Sequence, residues 1–174
     1  MSLYEFELVF ALPTAIDVDA LTERLAETGC DDATLGVGRR GRVALHFARE
    51  AGSAAQAVFG AVRTVRRAVP EARLLEASPD LVGLSDVAEL LGVSRQNVRK
   101  LLLESGPTPP APVHGGRPSI WRLAKVLRWL GDEKGYRVPN ELLELAETTL
   151  QVNLAAGLAD TEPAAQGEIR ALLA

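Results

Sequence analysis

The spacing of hydrophobic residues changes once along this chain, and that change limits the folds open to it. Up to about residue 80 apolar side chains alternate in short runs, and beyond it they recur at three- and four-residue intervals. Period two marks half-buried strands, and period 3.6 marks amphipathic helices. Tyr4, Phe6, Leu8, Phe10 and Leu12 share one face of a strand that Pro13 stops. Asp17 is placed to cap a helix with Val18, Leu21 and Leu25 on one side and Gly29 at its end. Leu35 and Val37 lead through Gly38-Arg39-Arg40-Gly41 to Val43, Leu45 and Phe47, which reads as a hairpin. Ser53 and Gln56 have capping-box spacing for a second helix, with Val58, Val62, Val65 and Val69 as its stripe and Pro70 at its end. Ala72–Ala77 supplies a last short strand.

The βαββαβ order predicts an α+β fold that begins with a ferredoxin-like sandwich over residues 1–79. Two helices would cover one sheet face and leave the other free for dimerisation or sensing. Ser78-Pro79-Asp80 has the chemistry of a turn and is read as a hinge. A second domain is expected over 80–137. Residues 138–174 would hold a C-terminal helix, Asn140–Leu158, whose broad apolar side includes Leu142, Leu143, Ala146, Leu150, Asn153 and Leu154. Asp160–Gly167 has loop composition and is expected to be a mobile tail.

The whole chain carries a net charge of −4. Residues 81–137 hold nine Lys and Arg against five Asp and Glu, a local +4, between flanks of −3 and −5. A local basic segment, rather than the overall charge, is what a phosphate backbone meets. Within it, Ser85 is placed to cap a helix to about Leu91 and Ser94 one to about Glu104. Ala88, Gly92 and Val98 have helix-turn-helix spacing. Ala88 is small where the helices cross, Gly92 suits a turn with positive φ, and Val98 anchors the second helix. On that helix Val98, Leu101 and Leu102 point inward, while Arg95, Gln96, Arg99 and Lys100 lie opposite. Arginine is suited to guanine edges and glutamine to adenine edges in the major groove. Ser94 and Asn97 complete the reading end. The bland alternative is a helical hairpin with a solvated basic face.

Downstream, Gly115-Gly116 stands between potential strands, with Arg117 beside the tip. Ile120-Trp121 and a helix over Leu123–Leu130 follow. Trp121 and Trp129 are expected in the core, and His114 in a solvated loop. Together, residues 82–131 resemble the excisionase/MerR-like winged helix-turn-helix group of bacterial and phage DNA-binding proteins. The resemblance implies that Arg95, Gln96, Arg99 and Lys100 enter the major groove of double-stranded DNA, with Arg117 in the wing. Ser94 and Asn97, at the same end of the helix, are expected to meet the DNA beside them. That group usually carries its module at the N-terminus, whereas here another domain precedes it.

Other chemistry finds little support. Cys30, His46 and His114 lack paired metal-ligand spacing. Gly36-x-Gly38-x-x-Gly41 matches a dinucleotide motif by letters but has no helix after it. Asp31-Asp32 reads as a solvated turn, and the first 80 residues contain no asparagine to position a reactive group. No enzyme activity, metal or cofactor is expected. The start lacks signal-peptide features and no apolar run is long enough to cross a bilayer, so a cytoplasmic chain is expected. The expected role is a transcriptional regulator acting as a homodimer, through Asn140–Leu158 or the free sandwich face. The alternative is an adaptor or antitoxin-like protein whose helix pair contacts protein. Whether a small molecule is sensed is left open.

Overall fold

The structure is a computed structural model that describes residues 1–12, 18–30, 32–37, 41–104 and 109–173. The alternating first half forms a four-stranded antiparallel sheet. β1 (Ser2–Ala11) lies between β3 (Arg42–Ala51) and β4 (Arg73–Ser78), and β2 (Ala33–Val37) borders β3, giving the order β2-β3-β1-β4. α1 (Val18–Glu27) joins β1 to β2, and α2 (Ala54–Ala68) joins β3 to β4. Phe6 stands opposite Phe47 and Leu8 opposite Leu45, so the inward residues of both strands meet on one face. The two phenyl rings stack with centroids 5.1 Å apart. On the other face Glu5, His46 and Ala48 are exposed.

The predicted caps and stripes are met with small shifts. The Ser53 hydroxyl accepts the Gln56 N–H (3.1 Å), while the Gln56 side chain accepts from Gly52 rather than from Ser53. Val58, Val65 and Val69 are buried as the spacing predicts. Ala54, Ala57, Ala61 and Ala68 are buried with them, so small side chains bring α2 close to the sheet. Asp17, Asp31 and the turn residues Gly38-Arg39-Arg40 lie outside the described residues.

A second core follows. β5 (Leu81–Val82) pairs with β6 (Trp121–Arg122), and α3 (Leu84–Leu91), α4 (Arg95–Arg99) and α5 (Leu123–Lys134) pack around Val87, Val98, Trp121 and Leu127. α6 (Asn140–Ala159) serves both cores. Leu145 and Val152 pack into the first, while Ala146, Leu142 and Leu150 pack into the second. Its predicted apolar side is therefore largely covered by its own chain. The tail read as a mobile loop contains α7 (Pro163–Leu173). Pro163 suits a first helical position, and Ala164, Ala165 and Ala171 are strong helix formers.

The expected hinge is anchored by polar contacts. Asp80 is 1% exposed and ion-paired to Arg122. The Asn153 amide donates to Asp80 (2.7 Å) and to the Ala77 carbonyl (2.8 Å), and accepts the Ala77 N–H (2.7 Å). The Thr149 hydroxyl donates to the Pro79 carbonyl (2.6 Å). A turn-forming sequence is thus held in one conformation by α6. At the other end of α6, Glu144 accepts from the Tyr4 hydroxyl (2.6 Å) and the Ala54 N–H (3.1 Å). The hydrogen bond to Glu144, with burial and that negative charge, raises the Tyr4 pKa above the ordinary tyrosine value. Among the described residues no helix is long and apolar enough to cross a membrane.

Candidate nucleic-acid interface

The helix pair is fixed by caps at each end. α3 begins at Leu84, ahead of the predicted cap Ser85, because the Asp86 carboxylate reaches back to the Gly83 N–H (2.7 Å). Gly92 closes α3 with φ 64° and ψ 30°, a left-handed conformation that glycine adopts without a steric penalty. The Val93 N–H then bonds to the Ala88 carbonyl (2.9 Å). Ser94 opens α4, its hydroxyl accepting the Asn97 N–H (3.2 Å). The predicted helix to Glu104 is continuous but not uniform: from Lys100 to Glu104 it widens into π-helical turns. Val98 and Leu102 stay buried across this change, so the same side of the helix faces α3 and α5.

The loop after the Pro-rich segment is short. His114 and Ile120 form one antiparallel bridge, the Val113 N–H also donates to the Ile120 carbonyl (2.8 Å), and the Ser119 hydroxyl closes on Gly116 (3.1 Å). Beyond that bridge the strand continues as β6, whose partner is β5. A Cβ at Gly116 would meet the His114 ring, which would have to swing aside. The Trp121 indole N–H donates to the Pro110 carbonyl (3.1 Å) and pins the Pro-rich segment to the core. Gly106-Pro107-Thr108 of that segment lies outside the described residues.

Between α4 and this loop lies a cleft of about 740 Å³. Arg95 and Arg99, one turn apart on α4, line it with Arg117 from the loop. Arginines about twenty positions apart in sequence are therefore brought to one concave surface. Gln96 on α4 and Lys100 just beyond it are exposed outside this lining, and Ser94 is engaged as a cap. Asn97 is half-buried, its amide 3.5 Å from the Tyr136 hydroxyl, so it acts inside the fold. The spacing missed Ser85, Asp86, Leu103 and Ser119 as lining residues. Only Asp86 left a signal, three residues after Gly83.

Three of the other cations of this segment have partners within the chain. Arg122 is paired with Asp80, Arg128 with Glu147 (2.7 Å), and Lys134 lies over the Trp129 ring at 5.2 Å. Asp86 shares the cleft, but its carboxylate is engaged with the Gly83 N–H. The cleft is thus lined by three guanidinium groups and one hydrogen-bonded carboxylate. Guanidinium groups present planar arrays of donors suited to phosphate oxygens and guanine edges. Among the described residues, no group of three His, Cys, Asp or Glu side chains is placed to hold a metal ion. Cys30 is buried. Compared with protein-family models, curated proteins and solved structures, the chain matches none, and the character of the site rests on this geometry.

Proposed function

We propose that this chain binds double-stranded DNA, with α4 in the major groove and Arg117 against the phosphate backbone. The observation that carries this reading is the convergence of Arg95, Arg99 and Arg117 on one cleft beside a glycine-turned helix pair. The local +4 of residues 81–137 supports it, because neutralised phosphates supply much of the binding energy. Residues 80–137 are then a winged helix-turn-helix domain of the excisionase/MerR-like kind. Residues 1–79 are a ferredoxin-like sandwich, a reading supported by the order β2-β3-β1-β4 with crossover helices after β1 and β3. The role is that of a cytoplasmic bacterial-type transcriptional regulator, working as a pair of copies.

A protein-binding adaptor is the second reading. A groove of about 460 Å³ on another side of α3 favours it, since Pro79, Leu81 and Leu90 line that groove beside Asp86 and Glu89. Salt separates the two readings. Titrating the chain with fluorescent duplexes selected from a random pool should give a log–log salt slope of about −3 or steeper, near −0.9 per phosphate contacted. Arg99→Ala should weaken the selected duplex by about 2 kcal/mol and relax base preference, whereas Arg117→Ala should weaken all duplexes alike. A flat salt response with unchanged Arg99→Ala binding would favour the adaptor.

A further inference from the structure

We infer that α7 and the end of α6 form the surface on which a second copy of this chain docks. α7 has eleven residues and none of them is buried. Isolated helices of that length are marginal in water, and a helix in a protein gains most of its stability by packing an apolar face. α7 has such a face: Ile169, Leu172 and Leu173 follow i, i+3, i+4 spacing and are 53%, 79% and 83% exposed. The Gln166 amide donates to the Leu158 carbonyl (2.9 Å) and the Thr161 hydroxyl (2.8 Å), tying the first turn of α7 to the end of α6. There Leu154 and Leu158, one turn apart, are also exposed. Five aliphatic side chains are thus carried by two linked helices.

Charge selects the occupant. The acidic groups of α6 are engaged within the chain: Glu141 with Ser2, Glu144 with Tyr4 and Ala54, and Glu147 with Arg128. Asp160 is bridged to Arg73. α7 itself carries one glutamate and one arginine, with Glu162 just before it, so the net charge that two copies bring together here is small. The rival surface is the open face of the four-stranded sheet. Among the described residues its charged groups are Glu5, Glu7, Glu50 and Glu76 against Arg42 and Arg73, the last bridged to Asp160, and a twofold contact there would set carboxylates against carboxylates. The choice of a second copy rests on the DNA reading, because one short reading helix covers few base pairs and two half-sites demand a twofold pair.

Sedimentation velocity of the full chain over a range of micromolar concentrations tests the inference, beside the double variant Ile169→Glu/Leu172→Glu. The wild type should be a dimer, and the variant's dimer dissociation constant should rise at least tenfold. Both residues are already exposed, so circular dichroism and the thermal midpoint of the variant at monomer concentrations should match those of wild-type monomer. A wild type that stays monomeric, or a variant dimer as tight as the parent, overturns the inference. Both proteins are also titrated with a random-sequence duplex. If neither binds while the dimer breaks as expected, the DNA reading fails and the surface stands. If the wild type binds DNA as a monomer, the surface fails and the DNA reading stands.

Discussion

The two cores of this chain differ in where their partners come from and in what their edges are free to do. The first is closed by strand pairing: β1 is matched residue by residue along β3, and its aromatic residues stack across that register. One of its cations, Arg49, is held by Asp32 in a two-pronged bond and lies over the Phe47 ring at 5.2 Å. The second core is a small helical cluster that needs α6 to complete it, and its edge carries a cleft lined by three arginines. Rigid pairing and the arginine-lined cleft are thus separated along the sequence. Substitutions in the first core should act on stability, and substitutions at the cleft should act on binding.

Phe6→Ala should have the largest effect, a loss of about 4 kcal/mol, because it removes a buried ring and leaves a cavity against Phe47. Urea unfolding measures this loss, and DNA affinity of the folded fraction should not change. A parallel fall in that affinity would break the separation. Asp80→Ala should cost about 3 kcal/mol, since Arg122 and the Asn153 amide lose their common acceptor. Calorimetry should then show two transitions in place of one, and a single sharp transition would mean that α6 alone couples the cores. Tyr4→Phe should have the smallest effect of the three, by freeing one oxygen of Glu144. Its pH dependence has a definite sign. The folded state raises the Tyr4 pKa and favours the neutral phenol, so its contribution is full below the ordinary value of about 10 and fades as pH rises through the folded value. Stability curves of wild type and Tyr4→Phe should converge in strong alkali.

What could be read beforehand was local. The alternation of Tyr4, Phe6, Leu8 and Phe10 and the turn at Gly92 each depend on residues a few positions apart, and the structure contains them. What was hidden depends on distant partners. Asp80 has the look of a turn residue, and its burial is set by Arg122 and Asn153, 42 and 73 positions away. Helical spacing places Asn153 on an apolar side, whereas its hydrogen-bond partners lie in another element. The cleft combines both kinds of signal. Arg95 and Arg99 were legible from α4, but their nearness to Arg117 follows from β6 pairing with β5. α7 is hidden for a different reason: Pro163 and Gly167 suggest a loop, whereas a proline at a first helical position breaks no hydrogen bond.

The sharing of α6 between two cores bears on how such a chain could have been assembled. The boundary marked by Ser78-Pro79-Asp80 invites the picture of two interchangeable parts joined by a strap. Residues 80–134 moved alone to another host would leave behind Ala146, Leu142 and Leu150, and with them one wall of the helical core. Residues 1–79 moved alone would leave the Tyr4 hydroxyl and the first N–H of α2 without Glu144. The heritable unit is therefore larger than either half, and recombination that preserves the fold must carry the long helix along.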